Sequence, residues 1–323
     1  MMILQIFLIV LGIGLLYVGG ELLVKYAIRL ARLWGLSTMV IGLTVVSIGT
    51  SSPELAACVY AAAKGFPQIS LGNVIGSNVA NIGLILGVSG LIYILVSEKL
   101  FLRREMPFMI FTSALILPFY ANDVLGRFEG VILILLTIFF FWWVLNHSQG
   151  APVEPIPELE EPLPPTPLWV PLVGITAGIA LLALGANSLV EGATAVARAF
   201  GVPDRVIGLT LVAFGTSLPE LASCAVAAWR KETDIVLGNL IGSNILNVVF
   251  ILGVTALVSP IPTPMTEMII DYGVMMTFSI LLWLFMSFGQ GINRYEAGLL
   301  LIGYLGYVSY LFMGSSPVAT PMP

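Results

Sequence analysis

The 323-residue chain is 58% hydrophobic and 10% charged, with a net charge of -5 and a mean hydropathy of +1.02, whereas a soluble domain is roughly a quarter charged. A soluble fold cannot hide that much apolar surface, and stretches of the ~20 apolar residues needed to cross a ~30 Å hydrocarbon core recur throughout, so the chain reads as an all-α polytopic membrane protein. Soluble enzymes, disulfide-stapled secreted domains and nucleic-acid binders are excluded together, the last because the charge is acidic.

Hydropathy and helix breakers predict helices over 3–24, 37–63, 70–96, 106–121 and 128–146, and again over 168–190, 204–229, 235–258, 268–287 and 293–313. The first lacks a basic leader region and a clear small-residue cleavage site and runs on into Glu21 and Lys25, so it reads as a retained helix. Cys58 and Cys224 fall inside apolar segments as small packing residues. Between the two sets, residues 148–167 carry Pro152, Pro155, Pro157, Pro162, Pro164 and Pro165 among Glu154, Glu158, Glu160 and Glu161. Proline density forbids helix there and the charge forbids burial, which leaves a solvated linker between two units, 1–147 and 168–323.

The two units are copies. A shift of 166 positions lays Ile41–Ile92 over Ile207–Val258 without a gap, and about 29 of the 52 pairs are identical. Five helices per copy is an odd number, so the second copy enters from the opposite side: ten transmembrane helices as two inverted five-helix repeats, an architecture typical of secondary transporters. Lys25, Arg29, Arg32, Lys99, Arg103, Arg104, Arg230, Lys231 and Arg294 collect on one side, against Lys64, Arg127, Arg198 and Arg205 on the other. The first side is expected to be cytoplasmic, with the linker inside and both termini outside.

The parts most alike are not the most hydrophobic. GLTVVSIGTSSPE ends at Glu54 and GLTLVAFGTSLPE at Glu220, each in the middle of a spanning segment. Glycine and proline loosen the hydrogen-bond ladder there, so helices 2 and 7 are expected to break, restarting with Ser51 or Ser52 as N-cap, Pro53 at the first helical position and Glu54 in the first turn near the positive end of the helix dipole. Ser217, Pro219 and Glu220 repeat the pattern. A capped kink alone does not account for the glutamates. A carboxylate at the bilayer centre costs about 2.5–3.5 kcal/mol, and a dipole contact returns about 0.3–1, up to ~2.

Asn73, Ser77 and Asn81, like Asn239, Ser243 and Asn247, recur every four residues and form a row of oxygen-bearing side chains along one helix face. Small-residue packing with asparagine and serine glue explains that spacing equally well. Taken with the glutamates, Thr50, Ser51, Ser77 and Asn81 from one copy and Thr216, Ser217, Ser243 and Asn247 from the other supply an all-oxygen cage for hard cations such as calcium, which takes 6–8 oxygens, or sodium. Zinc and copper are disfavoured, since the one histidine, His147, lies near the linker and neither cysteine sits in a ligand motif.

With these paired GTSxPE and GNxIGSN motifs the chain resembles, over essentially its whole length, the sodium/calcium exchangers of the cation/calcium antiporter superfamily in their compact prokaryotic form. The resemblance implies an antiporter rather than an enzyme, exchanging about three sodium ions per calcium by alternating access, with helices 2, 3, 7 and 8 around the ions and helices 1 and 6 sliding across them. It implies calcium at Glu54 and Glu220, sodium sites lined by Thr50, Ser51, Ser77, Thr216, Ser217 and Ser243, and a ring completed by Asn81 and Asn247. Many relatives carry an aspartate at one of those asparagine positions. Ser47 corresponds to Ala213, so the two half-sites are chemically unequal.

No cofactor, nucleic acid or protein partner is expected; the partners are Ca2+, Na+ and the lipid bilayer of a plasma membrane. A proton/calcium or potassium-dependent exchanger on the same scaffold is the alternative, although the glutamate of the proton/calcium GNxxE motif is replaced by Gly76 and Gly242. A membrane-embedded hydrolase using the carboxylates as acid and base is a further class, and the ligand symmetry offers it no distinct acid and base. Glu21, Glu105, Asp123, Glu129, Glu191, Glu267 and Asp271 fall near helix ends and are expected to be solvated or interfacial. Trp142, Trp143, Trp169 and Trp283 read as interface or packing aromatics.

Overall fold

The computed structural model describes residues 2–96, 99–121, 123–147, 167–200, 213–263, 265–289 and 291–314. Residues 148–166 of the expected linker and 204–212 of the expected seventh helix lie outside the described residues. In chain order the helices are α1 (Met2–Trp34), α2 (Thr38–Thr50), α3 (Ser52–Ala63), α4 (Gln68–Ile92), α5 (Lys99–Ala114), α6 (Ile116–Ala121), α7 (Arg127–His147), α8 (Trp169–Ala199), α9 (Leu218–Trp229), α10 (Thr233–Val258), α11 (Met265–Gly289) and α12 (Arg294–Gly314). A single helical turn, Ala213–Gly215, precedes α9. Seven described helices are long and apolar enough to cross a membrane, and eight if α2 and α3, bent by 43° at Ser51, count as one span.

Two of these helices form the centre. In α4 and α10 the most apolar windows are 72% and 78% buried within the protein, against 17% in α1 and 11% in α12, which turn most of their surface outward. Helices α1 and α8 cross in direct backbone contact: a methyl group on Gly12 would sit 2.8 Å from the Gly185 carbonyl oxygen, and one on Gly19 would sit 2.9 Å from that of Gly178. Only glycine permits that approach.

Contacts between the halves come in exchanged pairs. The shift of 166 converts the Gly12–Gly185 crossing into the Gly178–Gly19 crossing. Two-residue strands behave alike: Leu95–Val96 pairs antiparallel with Gly291–Ile292, and Val124–Leu125 with Ile261–Pro262, each pairing being the counterpart of the other to within one residue. Wide π turns open at Asn81 and at Asn247, also 166 apart. Such exchange is what a two-fold relation between the halves produces.

Several boundaries differ from expectation. Helix α1 continues to Trp34 rather than ending near residue 24, and Glu21, close to the expected end, is paired with Arg230 at the end of α9. Helix α4 stops at Ile92 rather than 96, because Leu95 and Val96 are taken up by strand pairing. Glu105 is not solvated: it is 1% exposed and paired with Arg104, whose guanidinium lies 5.3 Å above the Trp143 ring. Trp142 and Trp169 are exposed, while Trp143 packs against Phe108.

Candidate functional site

The site is built on the two helix breaks. Ser51 (φ -81°, ψ 4°) and Ser217 (φ -91°, ψ 2°) leave the helical region in the same way, and α3 and α9 restart at the next residue with Pro53 and Pro219 in the first turn. Both serines stand at the N-cap position, yet neither side chain caps its helix. Ser51 Oγ instead lies 3.1 Å from Glu220 Oε1 and 3.1 Å from Ser243 Oγ. The Ser51 hydroxyl is turned toward the other half, where it donates to Glu220 Oε1, and so does not lie over the N–H groups of its own helix.

Glu54 and Glu220 follow in the first turns of α3 and α9, 2% and 1% exposed. Glu54 lies beside Glu220 and Ser217. Thr50 Oγ1 donates to Asn239 Oδ1 at 3.1 Å, and Ser243 Oγ lies 3.4 Å from the same oxygen. The structure thus brings Glu54, Glu220, Ser51, Ser217, Ser243 and Thr50 together. Ser77 is buried and Thr216 half-buried in the corresponding places. Ser47 Oγ donates back to the Leu43 carbonyl at 2.7 Å, and Ala213 opens the short turn before α9.

Among the described residues, the buried oxygens without a hydrogen-bond partner include Glu54 Oε2, Glu220 Oε2, Asn81 Oδ1 and Asn247 Oδ1, two pairs related by the 166-residue shift. The described ion pairs, Arg104–Glu105 and Arg230–Glu21, involve neither central glutamate. A buried charge without a counter-charge is costly, and these four oxygens are acceptors of the kind a hard cation takes. No three His, Cys, Asp or Glu side chains cluster among the described residues, and the groups beside the glutamates are hydroxyls, a chemistry suited to hard cations.

The expected row along each asparagine-bearing helix divides by role. Asn73 Nδ2 donates to Cys58 Sγ at 3.4 Å, and Asn239 Nδ2 donates to Cys224 Sγ at 3.3 Å and Ser223 Oγ at 3.2 Å, so both tie their helix to the glutamate helix. The cysteines are buried acceptors as well as packing groups. Sequence reasoning passed over Asn78 and Asn244, which hydrogen-bond Asn247 and Asn81 across the halves. Their identity in both copies was the available signal.

Comparison with known proteins extends the same correspondence. A family model described as sodium/calcium exchanger protein matches residues 4–146 and 170–313. The chain is 36% identical over 320 residues to a putative antiporter, CaxA, of Alkalimonas amylolytica, covering 97% of this chain and 99% of that protein. It is 32% identical over 341 residues to the sodium/calcium exchanger MaX1 of Methanosarcina acetivorans, covering 94% and 97%. The structure is similar to that of the sodium-calcium exchanger NCX_Mj, with a TM-score of 0.83 and 35% identity over 96% of this chain and 100% of that one. These likenesses run through both helical sets and nearly the full length, and the chain belongs to the sodium/calcium exchanger family.

Proposed function

We propose that the protein exchanges sodium for calcium across a plasma membrane by alternating access, with ten spans arranged as two inverted five-helix repeats. The observation that carries the reading is the buried Glu54–Glu220 pair, each carboxylate keeping an unpartnered oxygen. Calcium binds between the two glutamates, with Asn81 and Asn247 supplying amide oxygens. Sodium occupies flanking positions lined by Thr50, Ser51 and Ser243 on one side and Thr216, Ser217 and Ser77 on the other, made unequal by Ser47 and Ala213. Support for the topology comes from contacts between residues assigned to one side: Arg230 with Glu21, and Arg104 with the His147 carbonyl, on the cytoplasmic side, and Arg127 with the Leu257 carbonyl on the other.

Charge balance sets the coupling. With both glutamates ionised, calcium brings the site to -2 + 2 = 0, whereas about three sodium ions bring it to about +1, a state that feels the membrane potential by about 2.3 kcal/mol per 100 mV for complete transfer.

Calcium uptake into sodium-loaded proteoliposomes tests this reading. Uptake is expected with an outward sodium gradient, accelerated by a positive interior, which favours exit of the sodium-loaded state. Uptake in sodium-free vesicles under a pH gradient, with none driven by sodium, overturns sodium coupling in favour of protons. Uptake by either gradient that is unaffected by clamped potential overturns the charge-moving stoichiometry.

A further inference from the structure

Two asparagines outside the proposed ligand set link the halves directly behind it. Asn81 Nδ2 donates to Asn244 Oδ1 at 3.0 Å, and Asn247 Nδ2 donates to Asn78 Oδ1 at 3.0 Å. Each bond is the counterpart of the other under the 166-residue shift, and all four side chains are 1% exposed. Asn78 Nδ2 then donates to the Asn244 backbone carbonyl at 3.2 Å and to Met275 Sδ at 3.7 Å, while Asn244 Nδ2 donates to Met109 Sδ at 3.6 Å. Met109 on α5 and Met275 on α11 are fully buried and again 166 apart.

This chain of contacts sets amide orientation. A primary amide fits the same space in two ways, differing by exchange of its oxygen and nitrogen. A backbone carbonyl accepts but never donates, so the Asn78 nitrogen must face Asn244 and its oxygen must face Asn247. Asn247 must therefore present its nitrogen to Asn78, which leaves its oxygen, buried and unpartnered, for another ligand. The thioethers of Met275 and Met109 are likewise acceptors without a donor. The same order holds from Met109 through Asn244 to Asn81, whose oxygen is also unpartnered. Reversing Asn247 would set two oxygens against each other and aim an NH2 group at the cation.

We propose that Asn78 and Asn244 are positioning residues that hold Asn247 and Asn81 with their oxygens toward the ion, each acting through its partner in the opposite half. The proposal rests on the ligand assignment made above.

A double-mutant cycle tests it. Asn78→Leu removes the acceptor at similar volume and is expected to raise the KM for calcium about tenfold, with turnover at saturating calcium within about twofold. Asn247→Ala is expected to raise KM at least as much. In combination the two are expected to match Asn247→Ala alone within about twofold, because a positioning residue has no effect once the residue it positions is gone. A multiplicative loss in the double variant overturns the proposal while leaving the ligand assignment standing. An unchanged KM in Asn247→Ala overturns the ligand assignment and this proposal with it. The equivalent cycle of Asn244→Leu with Asn81→Ala is independent, and Asn78→Ala and Asn244→Ala serve where a leucine variant does not accumulate.

Discussion

The stretch from Gly72 to Asn81 and the stretch from Gly238 to Asn247 have nearly the same sequence, but their surroundings differ. In the second, a methyl group on Gly238 would lie 2.6 Å from the Met39 carbonyl oxygen, and one on Gly242 would lie 2.7 Å from that of Leu43, so α10 is pressed against α2. In the first, the nearest described atom to such a methyl on Gly72 is Met268 Cε at 3.8 Å, and none lies within 4 Å of one on Gly76. Asn239 is fully buried, while Asn73 is half-buried and Gly72 exposed. The edges differ too. Arg230 pairs with Glu21 where α1 meets α9, whereas the corresponding residues are Lys64 and Asn187, which cannot form an ion pair. The site residues are therefore nearly the same in the two copies, and the packing among the described residues is not; positions 205 and 209, the counterparts of Met39 and Leu43, lie outside the described residues. On the proposed alternating access, donors that are kept while their walls differ would leave the site open to one side at a time.

The glutamates give the largest effects and should not distinguish the halves. On the proposed ligand assignment, Glu54→Gln and Glu220→Gln are each expected to reduce calcium exchange at least about a hundredfold in proteoliposomes, since each removes one of the two charges that would neutralise the ion. Near-normal exchange by either purified variant breaks the symmetric site.

Glycine substitutions should separate the halves. Gly238→Ala is expected to cost about 2 kcal/mol, because the added methyl meets backbone that cannot move cheaply. Gly72→Ala is expected to keep the melting temperature of the parent in detergent and yet slow exchange about tenfold, since on the alternating-access reading Gly72 must be close-packed in the opposite state. Unimpaired exchange by Gly72→Ala would show that the two stretches do not swap environments.

A smaller contrast is expected at the asparagines bonded to cysteine. Asn239→Ala removes partners from Thr50, Ser243, Ser223 and Cys224 and should cost about 2 kcal/mol, against about 1 kcal/mol for Asn73→Ala, which has one described contact, to Cys58. Thermal unfolding of the two variants side by side checks the order. Smallest is Glu21→Gln. The pair it breaks is partly exposed, so stability should change by no more than about 1 kcal/mol, and less at high salt. A larger loss would mean that the contact holds α1 on α9 more firmly than a surface ion pair can.

Much of this was legible in the sequence because its signals are local or repeated. Proline and glycine between Gly49 and Pro53 place the helix break within a turn, since backbone hydrogen bonding responds to its own residues. Duplication marks Glu54 with Glu220 and Asn81 with Asn247 as pairs, and bilayer energetics give the paired carboxylates a cation to bind. Tertiary structure alone decided which oxygen meets which. Ser51 satisfies Glu220 rather than its own helix, and Asn247 is held by Asn78, contacts 169 residues apart that depend on how the halves interlock. Glu105 is buried and paired with Arg104, whose guanidinium lies over the Trp143 ring of another helix. Gly238 and Gly242 are close-packed because α2 lies on that face of α10, and no residue records that about itself.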